Sequence, residues 1–116
     1  MTIAVDIWLR GSDVATTAAL EGRSRPPEWT DDDVRRLLEG MLQAMHRAKH
    51  PDEGNRPVAL RGLSWIVNPY EEGGVVVAIE ITLGAAIAGP LDIDQARLES
   101  MITRVLAQPG SSATVH

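Results

Sequence analysis

The side chains of this chain that bear on chemistry fall into three groups. His46 and His50 stand four residues apart, the helical spacing at which two imidazoles can reach one metal ion. Glu80 sits in the middle of the apolar run Val75-Val-Val-Ala-Ile-Glu-Ile-Thr82, where a carboxylate is out of place. Asp6 and Arg10 flank Trp8 near the start of the chain. If the segment carrying them lies beside Glu80, two carboxylates, a guanidinium and an indole would make a polar-ligand or acid/base site.

Each group also has a plainer reading. His46 and His50 share the polar side of a helix with Glu39 and Gln43, close to its C-terminus, where histidine complements the helix dipole. A third ligand would have to come from Asp52 or Glu53, and no spacing requires it, so neither a metal nor a cofactor is expected. Glu80 fits equally well on a solvated sheet face, paired with Arg10 or Arg61, because antiparallel sheets commonly wet one side. Other chemistry has no support. Glu71-Glu-Gly-Gly74 and Leu83-Gly-Ala-Ala86 lack the lysine and hydroxyl of a phosphate loop, and Ser64 has no histidine at an informative spacing, so no catalytic residue is assigned.

Composition narrows the classes further. There is no cysteine, which removes disulfides, thiolate catalysis and cysteine-based metal sites. Sixteen acids against 11 basic residues, mostly interleaved, give a net charge of −5 and argue against nucleic acid as a partner. Met1 to Arg10 has no basic region ahead of its apolar residues, and Asp6 interrupts them, so the segment reads as neither a signal peptide nor a membrane span. A cytoplasmic protein with no membrane partner is the expectation.

The elements that must position these residues follow from periodicity. Ile3, Val5, Ile7 and Leu9 alternate with Ala4, Asp6, Trp8 and Arg10, the period of a half-buried strand. Residues 12–20 are ambiguous: Ser12 caps a short helix ended by Gly22, or Val14 to Leu20 is extended. Thr30, followed by three aspartates, opens a long helix with the stripe Val34, Leu37, Leu38, Met41, Met45 and Ala48, ending near His50 before Pro51. Trp29 is placed as a staple against that helix.

After a loop over Pro51 to Pro57, a hairpin is expected from Val58 to Thr82, turning at Asn68 to Gly74. Setting Val67 opposite Val75 puts Leu63, Trp65, Val77 and Ile79 on one side as core, with Leu60, Gly62, Ser64, Ile66, Val76, Ala78 and Glu80 on the other. Leu83 to Pro90 reads as a flexible connection. Asp92 and Gln95 give a capping-box-like start to a last helix, which Pro109-Gly110 stops.

The expected fold is therefore α+β: an antiparallel sheet of about three strands with two long helices on one face, in the order β-α-β-β-α. Residues 1–110 form a single domain and 111–116 a flexible tail. The order of elements resembles the ferredoxin-like βαββαβ pattern, with the last strand missing or replaced by that tail. This resemblance carries no functional motif.

Apolar residues alternate onto both sides of the hairpin, and Trp8 falls on the polar side of its strand. It is either covered by the segment from Gly11 to Trp29 or anchors an interface. The expected function is a non-enzymatic interaction or assembly module, self-associating or a small subunit of a larger protein complex. Its interface would be Trp8, Leu60, Ile66 and Val76, with the edge of the first strand as a second route. The alternative is a small-molecule binding protein or small enzyme using Asp6, Arg10 and Glu80.

Overall fold

Two β-hairpins and a later strand build one antiparallel sheet, with both helices on one side of it. The computed structural model describes residues 1–54 and 58–108. Its elements are β1 (Thr2–Leu9), β2 (Thr16–Glu21), a 3-10 turn (Pro26–Glu28), α1 (Asp31–Lys49), β3 (Ser64–Pro69), β4 (Val75–Ile81), β5 (Gly84–Leu91) and α2 (Gln95–Ala107). The five strands lie in the order β2-β1-β5-β4-β3, every neighbour antiparallel. The class is α+β, as the sequence indicates, but the sheet has five strands rather than about three. The chain order β-β-α-β-β-β-α also departs from the ferredoxin-like pattern. The proposed tail strand, the stop at Pro109-Gly110 and the loop residues Asn55 to Pro57 lie outside the described residues.

The two additional strands are poor in large apolar side chains for reasons of position. β5 occupies the centre of the sheet, between β1 and β4, and its inward Ala86 and Ala88 are fully buried. Small side chains there let α1 approach the middle of the sheet, so a segment composed like a flexible connection is the most enclosed strand of all. β2 is an edge strand whose inward residues, Ala18 and Leu20, are only half-buried, which weakens the alternation that would mark it.

α1 starts where the sequence places it. The Thr30 hydroxyl accepts from the Asp33 amide at 3.4 Å, and the Asp33 carboxylate accepts from the Thr30 amide at 2.9 Å, closing a reciprocal cap. Val34, Leu37, Leu38, Met41 and Met45 are buried against the sheet. Trp29, directly before the cap, is buried with Val34 in the same core, and its indole N–H donates to the Ser24 carbonyl at 2.9 Å. α2 begins two residues later than the capping-box reading has it. Asp94 is the cap, its carboxylate accepting from the Arg97 amide at 3.0 Å, while Ile93 is buried and Asp92 exposed.

The hairpin of β3 and β4 keeps the expected faces with a register moved by two residues. Val67 lies opposite Val77, Trp65 opposite Ile79 and Pro69 opposite Val75. The turn is shorter than Asn68 to Gly74: the Tyr70 amide donates to Gly74 O at 3.0 Å, with Gly73 and Gly74 at φ +109° and +79°. Pro69 stays within β3 because its missing N–H falls on the free edge, where the ladder does not need it. A shift of two preserves side-chain parity, so Val67, Trp65 and Leu63 still face the helices. Trp65 and Leu63 are half-buried rather than fully enclosed, since they lie along the edge of the sheet.

The two helices are tied by charge as well as by packing. Arg104 of α2 donates to both carboxylate oxygens of Asp31 at the start of α1, at 3.0 and 2.9 Å. These hydrogen bonds hold the Asp31 carboxyl below the usual carboxylate range. A lowered pKa adds stability that is present above the ordinary carboxylate pKa and lost as pH falls through the lowered value. Asp31→Asn is therefore expected to lower the urea midpoint at neutral pH, with the deficit closing once the pH drops below about 4. A deficit of constant size across that range would refute this role.

Candidate functional site

Directly opposed residues in an antiparallel sheet project to the same side, so the register maps the face turned away from the helices. One row crosses all five strands: Thr17, Asp6, Ile87, Ala78 and Ile66. The next contains Trp8, Ala85, Glu80 and Ser64. Val76 lies one step further along β4, opposite Asn68. Among the described residues no helix or loop covers this face, and Trp8 and Ile66 are 41% and 52% exposed. Ala78, Ala85, Ile87 and Val76 lie half-buried between them.

The segment Gly11 to Trp29 does not shield Trp8. It forms β2 in the plane of the sheet, then crosses to the helical side and buries Trp29 there. Of the four expected interface residues, Trp8, Ile66 and Val76 share the uncovered face. Leu60 does not: it is 3% exposed, before β3 begins, and belongs to the core. Ile87 and Ala85 at the centre of the face were missed with β5, while Ala78 of β4 lies where the sequence placed it. The signal for the missed pair is the alternation of Ala85 and Ile87 with the buried Gly84, Ala86 and Ala88.

The ligand-chemistry residues are not brought together. β5 intervenes between β1 and β4, so Asp6 and Glu80 are two strands and one row apart, roughly 12 Å by standard sheet spacings. Asp6 accepts from the Thr17 hydroxyl at 2.9 Å, and Arg10 donates from Nε to the Thr82 carbonyl at 3.0 Å. Glu80 is exposed and pairs with neither Arg10 nor Arg61.

Two of the depressions among the described residues lie elsewhere, and neither is lined by Asp6, Trp8 or Glu80. One of about 310 Å³ lies between β2 and α1, with Ile3, Leu20, Trp29 and Leu37 beneath Arg36 and Glu39. The other, of about 620 Å³, lies near the C-terminal part of α1 and includes Leu42, His46, Val58, Arg61 and Ile81. The His46 and His50 rings are 4.8 Å apart, and His50 Nδ1 lies 3.1 Å from the Glu53 carboxylate. Among the described residues no three histidine or carboxylate side chains are grouped so as to hold a metal ion.

Compared with known proteins, the chain matches no protein-family model, no curated protein and no solved structure. Among the described residues no helix is long and apolar enough to cross a membrane.

Proposed function

We propose that this protein is a non-enzymatic interaction or assembly module that associates with copies of itself or with another protein through the uncovered face of its sheet. The observation that carries this reading is the exposure of Trp8 and Ile66 on either side of Ala85, Ile87, Ala78 and Val76, with no second layer among the described residues. A solvated sheet face would carry polar residues at these positions. Fully burying a side chain such as Ile66 is worth roughly 1.5–3 kcal/mol, and an aromatic body such as Trp8 is a typical anchor of a protein interface. The small alanines between them favour close approach of a flat partner surface.

Asp6, Glu21 and Glu80 around this face, together with the net charge of −5, favour a protein partner over nucleic acid or an anionic membrane. Cysteine-free composition is compatible with the cytoplasm. Ligand chemistry has less support, because its acids are separated and open to solvent.

The test is sedimentation of the wild type beside Trp8→Glu and Ile66→Glu. The wild type is expected to sediment above its 12.5 kDa chain mass, with a concentration dependence that both substitutions weaken by at least about tenfold, the equivalent of 1.4 kcal/mol. Both variants sedimenting like the wild type would refute the role of this face.

A further inference from the structure

The two edges of the sheet are finished differently. Along β3 the ladder geometry follows from the Tyr70 amide donating to Gly74 O across the hairpin. Alternate residues then turn their backbone groups to β4, leaving Trp65, Val67 and Pro69 facing the free edge. That edge is blocked. Pro69 has no N–H to offer, and the Val67 carbonyl accepts from Gln95 Nε2 of α2 at 2.9 Å.

β2 shows the opposite condition. The Gly22 amide donates to Met1 O at 2.8 Å, and the Met1 amine donates to Gly22 O at 3.0 Å, so this pair faces inward across the β1–β2 ladder. Counting back by twos, Leu20, Ala18 and Thr16 also bond toward β1, while Glu21, Ala19 and Thr17 turn their N–H and C=O groups outward. No proline, lysine or arginine lies within β2, and no other strand lies beyond it among the described residues. Natural proteins usually protect such an edge, so an open edge in a sheet whose opposite edge is blocked marks a pairing site.

We infer that β2 pairs antiparallel with β2 of a second copy across a two-fold axis at Ala19, making one continuous ten-stranded sheet. Charge selects this centre. An axis at Ala19 sets the uncharged Thr17, whose hydroxyl already donates to Asp6, opposite Glu21 of the second copy, so that no two acids are directly opposed, and uses all three outward-facing residues in six main-chain hydrogen bonds. An axis at Glu21 would oppose two glutamates, and one at Thr17 would oppose Glu21 with Asp13 of the second copy, both acidic. Axes at Ala18 or Leu20 bring only two outward-facing residues of the strand into register. The groove between β2 and α1 is a second, independent feature of this edge. Its apolar floor of Leu20, Leu37 and Trp29 lies where Thr16 and Ala18 of the second copy would pass, beneath Arg36 and Glu39, whose charges are opposite. This pairing uses a surface separate from the uncovered face and does not depend on it.

The experiment places edge substitutions in a background carrying Trp8→Glu and Ile66→Glu, so that association through the face is removed. This background is expected to sediment as a dimer of the 12.5 kDa chain. Ala19→Pro removes only an outward N–H, leaves the β1–β2 ladder bonded, and is expected to give a monomer with an unchanged circular dichroism spectrum. Ala19→Lys and Ala19→Glu place like charges across the axis and are each expected to be monomeric, while their equimolar mixture recovers the dimer. A background protein that stays monomeric at its highest attainable concentration, or a lysine and glutamate mixture that does not dimerise, overturns the inference. Loss of the dimer with persistence of face-dependent assembly in the otherwise wild-type chain would leave only the uncovered face standing.

Discussion

Gly84→Ala is expected to lower stability by at least about 3 kcal/mol, a large share of the about 5–15 kcal/mol that domains of this size hold. Gly84 opens β5 at the point where that strand passes against the end of β1, opposite Leu9. A Cβ there would lie 2.2 Å from the Trp8 carbonyl oxygen and 2.9 Å from the Leu9 Cα. Both obstacles are backbone, so relief requires the β1 and β5 ladders to separate rather than a side chain to turn. The comparison is Gly62→Ala. Gly62 sits at φ +68° with no atom within 4 Å of an added Cβ, so its substitution meets only the conformational cost of about 1 kcal/mol. Urea unfolding of the two variants separates steric exclusion from backbone preference, and near-equal losses would refute the packing argument.

Leu38→Ala is the second large effect, expected at about 2–5 kcal/mol. Leu38 is fully buried on the face of α1 that lies over the sheet, among residues drawn from both helices and several strands. Truncation removes the transfer free energy of the side chain and leaves a cavity, because small residues such as Ala86 and Ala88 across the interface cannot expand to fill it. The same change at Leu63, half-buried at the edge beside β3, can collapse toward solvent and is expected to cost less than half as much. Equal losses at the two positions, read from urea midpoints, would show that the edge is as tightly packed as the centre.

What could be read from the sequence was whatever depends on local period. β1 and α1 carry complete apolar patterns, with Thr30 and Pro51 marking the ends of the helix, and the structure keeps them. The hairpin faces were legible for the same reason. Its register was not, since side-chain parity is unchanged by a slip of two and the turn alone distinguishes the alternatives. β5 escaped detection because strand propensity and burial conflict there: the centre of the sheet selects alanine and glycine, which also compose loops.

The candidate site was affected in the same way. Alternation identified Trp8, Ile66 and Val76 as outward-facing. Leu60 was carried along by extending that alternation beyond the start of β3, into backbone that is not a strand. The proximity of Asp6 to Glu80 depended on which strands are neighbours, and the periodicity of a strand contains no information about that. An unseen central strand separates the two acids while leaving each on the expected face.

The position of β5 also fixes when the fold can exist. β1, β2 and α1 leave the ribosome first, and β3 and β4 follow as a local hairpin, yet the two halves of the sheet share no ladder until β5 is made. Val5 must find Ala88 across nearly the whole chain, and Val77 must find the same residue from the other side. Such long-range closure places the protein among slower, all-or-none folders for its size. During synthesis the nascent chain carries two unjoined sheet fragments with exposed inner edges, a period in which the vacant edge of β1 can be taken by any strand of a neighbouring chain. The last of these strands to arrive is thus the one that closes the inner edges, so that the edge of β2 alone is left open to pairing.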